Sequence, residues 1–132
     1  MPCPRCGSDV VAFVVPDHLL AHAPARDTAI CMRCLTTHTA GDAAVDPASV
    51  SPESDPDLGA VDPAFPSGEA GVALALVCGL LESYALNRSA IESLLEHAER
   101  HGADVFAFLE RLDAEEAAFD VERRRRVLLD SL

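Results

Sequence analysis

The sequence predicts an α+β protein: a small amino-terminal β module, an acidic proline-rich linker and a helical carboxy-terminal half. Three observations carry that reading. Residues 1–40 hold short β-branched runs between two cysteine pairs. Residues 41–68 carry six acids, no base and five of the nine prolines. Residues 69–132 show apolar positions at helical spacing between capping signals.

In residues 1–40, "VVAFVV" (Val10–Val15) is short and β-branched, so it reads as a strand, which Pro16 ends. "PDHLLAH" makes one helical turn, with His18 and His22 on one face at the surface. "TAI" before Cys31 and "TTHT" after Cys34 are further short strands. Residues 41–68 repeat Asp-Pro three times without an apolar period. Such a stretch is an extended linker, too polar and proline-broken to fold alone. Phe65 anchors its end on the next lobe.

Ser67 caps a helix over about Glu69 to Leu86 by offering its hydroxyl to free backbone amides. Gly71, Ala75 and Gly79 form a smooth ridge that another backbone approaches closely, and Val72, Leu76 and Leu80 form the adjoining row. This helix is apolar nearly all round, which places it at the centre of the lobe. Ser89 and Glu92 of "SAIE" fit a capping box for a second helix, with Ile91, Leu94, Leu95 and Ala98 on one face and Gly102 ending it. Asp104 caps a third, carrying Val105, Phe108, Leu109 and Leu112. A fourth begins near Phe119 and carries "ERRRR". The expected architecture is a three- or four-helix bundle over 69–132.

Cys3/Cys6 and Cys31/Cys34 share the Cys-x-x-Cys spacing. Two intervening residues let a tight turn aim both sulfurs at one point, so two turns supply a closed set of four thiolates. Residues 1–40 therefore read as a zinc ribbon holding one structural Zn2+ on Cys3, Cys6, Cys31 and Cys34. Iron is the competing metal, since four thiolates suit either ion. Rubredoxins open with a knuckle like "CPRCG", but their second knuckle also ends in Gly where Leu35 stands here, and their aromatic core is missing. Paired disulfides do not suit a cytoplasm, and a redox dithiol lacks its βαβ setting. A closed site is structural, so no catalytic residue and no enzyme is expected. Arg5 and Arg33 hold the same place in the two knuckles, where they offset the negative charge of the centre or contact an anion together.

Other polar candidates read as bland. His97 and His101 stand four apart in "HAERH", but the zincin order requires Glu directly after the first His, and Glu99 lies mid-motif. They are expected to face solvent, with no second metal site. His38 is a strand residue or a donor beside the sulfurs. Cys78, inside the apolar run, is a buried inert thiol. Arg123–Arg126 fan around a helix and pair internally, Glu122 with Arg126 and Asp120 with Arg123 and Arg124.

The chain carries 22 acids against 10 bases, all of them Arg, for a net charge of −12. That charge disfavours nucleic acid and anionic membrane as partners. It also looks adapted to concentrated salt, where screening shortens to about 3 Å at 1 M. Structure is then lost cooperatively on dialysis into low salt, and equal melting temperatures in dilute buffer and molar KCl would remove the idea. A secretory signal does not fit ahead of Cys3, and the apolar run Ala70 to Leu81 is short for a membrane span. A cytoplasmic protein is expected.

These features resemble the haloarchaeal small CPxCG-related zinc fingers. More closely they resemble a haloarchaeal family with an amino-terminal zinc ribbon, an acidic linker and a helical carboxy-terminal half. The resemblance rests on "CPRCG", the second Cys-x-x-Cys with its Thr- and His-containing strand, "ALALVCGLLESYALNRSAIESLLE" and "AFDVERRRR". It implies zinc at the four cysteines and no established activity. "CMRCL" lacks the Pro and Gly of the CPxCG form. The expected role is a non-enzymatic protein-interaction or regulatory adaptor. The alternatives are a nucleic-acid- or transcription-associated ribbon using Arg5, Arg26 and Arg33, and a rubredoxin-like iron electron carrier.

Overall fold

The structure, a computed structural model, describes residues 3–46, 50, 55–113 and 115–131. Strands β1 (Val10–Val14), β2 (Asp27–Cys31) and β3 (Thr37–Thr39) form an antiparallel sheet in the order β1-β2-β3. They form where the β-branched runs predict. Val10 pairs with Cys31 and Thr28 with Thr39, so β1 leaves the first cysteine turn beside the point where β2 enters the second. A 3₁₀ turn over Asp17–His22 follows β1.

Strand alternation gives the sheet two faces. Phe13, Val15 and Ile30 join the main core. Val10, Ala12 and Ala29 face the other way and are covered by Ala40, Ala43, Val45 and Val50. Farther along, Leu58 and Phe65 are buried in the main core, and Phe65 meets Phe108 edge-on at 5.0 Å, the anchoring role expected of it. Buried Asp62 accepts from the Ala64 N–H at 2.8 Å and the Asp113 N–H at 3.2 Å. The described parts of 41–68 therefore pack on both sheet and helices. Residues 47–49 and 51–54, where the extended-linker expectation also falls, lie outside the described residues.

Helix α1 (Gly68–Leu80) is buried without interruption from Ala70 to Cys78, as its all-round apolarity predicts. Ser67 is its N-cap residue, but the hydroxyl makes no capping bond; Asp55 Oδ1 accepts the Gly68 N–H at 2.9 Å instead. The helix also ends earlier than Leu86. A 3₁₀ turn over Leu81–Ser83 reverses the chain, and α2 (Tyr84–Arg100) packs back on α1. The Ser89–Glu92 capping box does not form, because both residues lie inside α2. Asn87 accounts for the early start: its Nδ2 donates to Leu80 O at 3.3 Å and Ser83 O at 3.0 Å, tying the end of α1 to the start of α2. Gly68–Arg100 has the length and hydropathy of a membrane span, yet 56% of its most apolar window is already buried inside this fold.

Gly102 (φ +89) ends α2 as predicted. Helix α3 (Val105–Arg111) is capped by Asp104, which accepts from the Ala107 N–H at 3.0 Å. Helix α4 (Val121–Ser131) starts two residues later than Phe119, capped by Asp120 on the Arg123 N–H at 3.0 Å. Arg123 and Arg126 are exposed as expected, but Arg124 and Arg125 do not belong to the internally paired surface face. Arg124 donates to Leu81 O at 3.0 Å and lies over the Tyr84 ring at 5.5 Å. Arg125 donates to Leu109 O at 2.6 Å and to Leu112 O. Both guanidiniums donate to carbonyls at the ends of neighbouring elements.

The glycine ridge serves the close approach expected of it. A Cβ on Gly79 would lie 2.0 Å from Thr37 Oγ1, and one on Gly71 would lie 2.2 Å from Pro66 O. Contact at Gly79 seats β3 directly on α1, so sheet and helices share one core.

Candidate metal centre

The two cysteine turns are built alike. The Cys3 N–H donates to Ser8 O at 2.7 Å and the Cys31 N–H to Thr36 O at 2.9 Å, five residues on in both cases. The Arg5 N–H donates to Cys3 Sγ and the Arg33 N–H to Cys31 Sγ, each at 3.4 Å. The residue after each second cysteine is left-handed, Gly7 at φ +77 and Leu35 at φ +61. Glycine adopts this freely, whereas a residue with a Cβ is strained by about 1–2 kcal/mol. Leu35 nevertheless belongs there because its side chain is only 1% exposed in the main core. Leu35→Gly relieves the strain but removes a buried leucine, a loss of about 3–5 kcal/mol in comparable cores. A net destabilisation of about 2 kcal/mol or more is expected from urea unfolding of the metal-loaded chain; an unchanged midpoint would contradict it.

The turns bring the sulfurs together. Cys3 Sγ lies 3.8 Å from Cys34 Sγ, Cys6 Sγ lies 3.3 Å from Cys31 Sγ, and all four fall within 4.8 Å of one another. Sulfurs bound at about 2.3 Å to one tetrahedral ion stand about 3.8 Å apart, so the set fits a single metal. All five cysteines are free thiols. Cys3, Cys31 and Cys34 are buried and Cys6 is exposed.

Electrostatics divide the set. Burial works against ionising Cys3, but the amides of Cys6 and Arg5 and the Thr36 hydroxyl outweigh it and hold the thiol below its usual range. The Ser8 amide does most to bring Cys6 down to about 6. Burial pushes Cys31 up to about 12 and raises Cys34 as well. Without a cation, Cys31 and Cys34 therefore keep their protons at neutral pH, and a bound divalent ion must displace them.

Neighbours from the helical half hold the turns in place. Arg5 makes a two-pronged pair with Glu82, at 2.6 and 2.8 Å, which holds the Glu82 carboxyl below its usual range. Arg33 pairs with Glu116. The Ala118 N–H donates to Cys34 O at 2.8 Å, and its methyl packs against the cysteines. No local pattern marks Glu82, Glu116 or Ala118, since each meets the cysteine turns only through tertiary folding. His38 Nε2 stands 3.6 Å from Cys3 Sγ and 2.8 Å from Thr36 Oγ1, beside the sulfurs as expected.

A family model described as "Family of unknown function (DUF6276)" matches residues 2–132. The chain belongs to that family. No curated protein and no solved structure matches it. In this DUF6276 chain the match spans both cysteine turns and all four helices.

The remaining candidates divide. Cys78 is buried, and burial pushes its thiol up to about 12, the inert thiol expected. His97 is not the solvent-facing residue expected: its side chain is 15% exposed and its Nε2 lies 3.2 Å from Glu69 Oε2. His101 and His18 reach the same carboxylate.

Proposed function

We propose that Cys3, Cys6, Cys31 and Cys34 hold one structural Zn2+, and that the chain acts as a non-enzymatic interaction or regulatory protein. The observation that carries this reading is the convergence of four sulfurs, three of them buried. Four thiolates complete a tetrahedral shell and leave no position for substrate, so the ion would contribute folding energy rather than chemistry. Zinc is preferred to iron because the chain lacks the aromatic core of rubredoxins. A cytoplasmic setting keeps such thiols reduced.

A protein partner is favoured over nucleic acid. The net charge of −12 repels phosphate, and Arg5 and Arg33 are already engaged by Glu82 and Glu116. Leu86 (88% exposed) and Phe106 (47%) are the large hydrophobics left at the surface among the described residues. Metal analysis of purified protein is expected to find zinc at the four-sulfur centre in a colourless sample. A coloured iron form would replace this reading with an electron carrier. Capture from lysate at matched salt should survive nuclease and weaken with Leu86→Asp or Phe106→Asp. Loss of every captured protein after nuclease would favour the nucleic-acid reading.

A further inference from the structure

Outside the sulfur centre, one carboxylate collects three imidazoles from separate parts of the chain. Glu69, in the first turn of α1, sets Oε1 at 2.8 Å from His18 Nε2. Its Oε2 lies 3.2 Å from His97 Nε2 and 2.9 Å from His101 Nε2. The His97 ring stands 5.0 Å from the His18 ring and 4.3 Å from the His101 ring, centroid to centroid. His18 comes from the 3₁₀ turn after β1, and His97 and His101 from the end of α2. Such convergence of residues so far apart in sequence has no counterpart in a local motif.

We propose that His18, Glu69 and His97 form a second divalent-metal site, with His101 holding the Glu69 carboxylate. Their ligand atoms all lie within 4.8 Å of one another. Groups bound at about 2.0–2.2 Å to one ion stand about 3.0–3.5 Å apart, close to the 2.8 and 3.2 Å separations from Glu69. The second, independent observation is His97 itself. Its Nε2 is a buried atom with no hydrogen-bond partner among the described residues, although Glu69 Oε2 lies 3.2 Å away. An unsatisfied buried imidazole nitrogen is costly, and a cation between the three groups would take its lone pair.

Two imidazoles with one carboxylate suit borderline first-row ions such as Zn2+, Co2+ or Ni2+ rather than Mg2+ or Ca2+. With three protein ligands and a half-exposed His18, solvent completes the coordination, unlike the closed four-sulfur set. His101 stands where an outer-sphere hydrogen bond orients a ligating carboxylate. The site shares no residue with the cysteines and lies at the other end of α1. Glu69 and Glu82, thirteen positions apart, are separated by about 20 Å along the helical path.

The test uses the untagged full chain, first given a single equivalent of Zn2+ to fill the tighter four-sulfur centre, then titrated with Co2+ by calorimetry and visible absorption. A further equivalent of Co2+ should bind with weak ligand-field bands and without the near-ultraviolet charge transfer of a thiolate site. His18→Ala, an exposed change, and Glu69→Gln should each weaken that binding at least tenfold while helix content stays unchanged. His101→Ala should weaken it by a smaller factor. Absence of a further equivalent would overturn the proposal and leave the cluster as a plain ion-pair network. Binding that His18→Ala and Glu69→Gln both leave unchanged would overturn it equally.

Discussion

Stripping the metal from the four-sulfur centre is expected to unfold the helices as well as the sheet. A structural zinc on four cysteines contributes on the order of 10–16 kcal/mol at neutral pH, comparable to the whole stability of a small domain. The three-stranded sheet has no separate core on its helix-facing side. Phe13, Val15, Ile30 and Leu35 share one core with Leu74, Leu76 and Ile91, and Ala118 bonds Cys34 directly. Loss of the cysteine turns would expose that face of α1. Excess chelator, or Cys31→Ser, should therefore abolish metal binding and remove most of the helical circular dichroism in the same transition. Helix content that survives complete metal removal would show the carboxy-terminal half to be self-sufficient.

Acid should act in the same direction. Zinc binds thiolates, and burial keeps Cys31 and Cys34 protonated at neutral pH in the metal-free centre. Binding then releases at least the two protons of Cys31 and Cys34, so affinity should fall by about two decades or more for each unit of pH lost near neutrality. Competition with a chromophoric chelator across that range measures the slope, and a flat profile would contradict the assignment.

The second large effect is expected from one methyl group. Gly79→Ala would place a Cβ at 2.0 Å from Thr37 Oγ1 and at 2.7 and 2.8 Å from its Cγ2 and Cβ. Gly79 lies within α1, next to residues that are fully enclosed, so the helix has little room to retreat. Overpacking of this kind costs about 1–3 kcal/mol and at times more. About 3 kcal/mol is expected here, because β3 must lift from α1 and draw the second cysteine turn with it. Thr37→Gly removes all three obstructing atoms, so the double variant should regain more than half of the loss. A Gly79→Ala chain as stable as the parent would mean that β3 and α1 do not meet this closely.

Some elements were legible because their signals are local. Val10–Val15 is β-branched and stopped by Pro16, and the observed strand ends at Val14. Asp104 caps α3 with its own carboxylate, three residues from the amide it serves. Local signals were overridden where a distant side chain competed with a nearby one. Asp55, rather than Ser67, caps α1; Asn87 lets α2 begin before Ser89; Arg124 and Arg125 reach carbonyls of other elements rather than the acids beside them. In each case local chemistry offered an adequate partner, and folding supplied another.

By itself, the sequence determined the α+β division and the placing of four sulfurs in two matching turns. Both follow from interactions within a few residues, which chain geometry enforces wherever the segment lies. Only the tertiary structure decided that the sheet rests on α1, that Arg5 and Arg33 answer to Glu82 and Glu116, and that His18, His97 and His101 gather on Glu69. Those meetings depend on how α2 folds back over α1, and burial of the shared apolar core, not any pairwise polar preference, drives that packing.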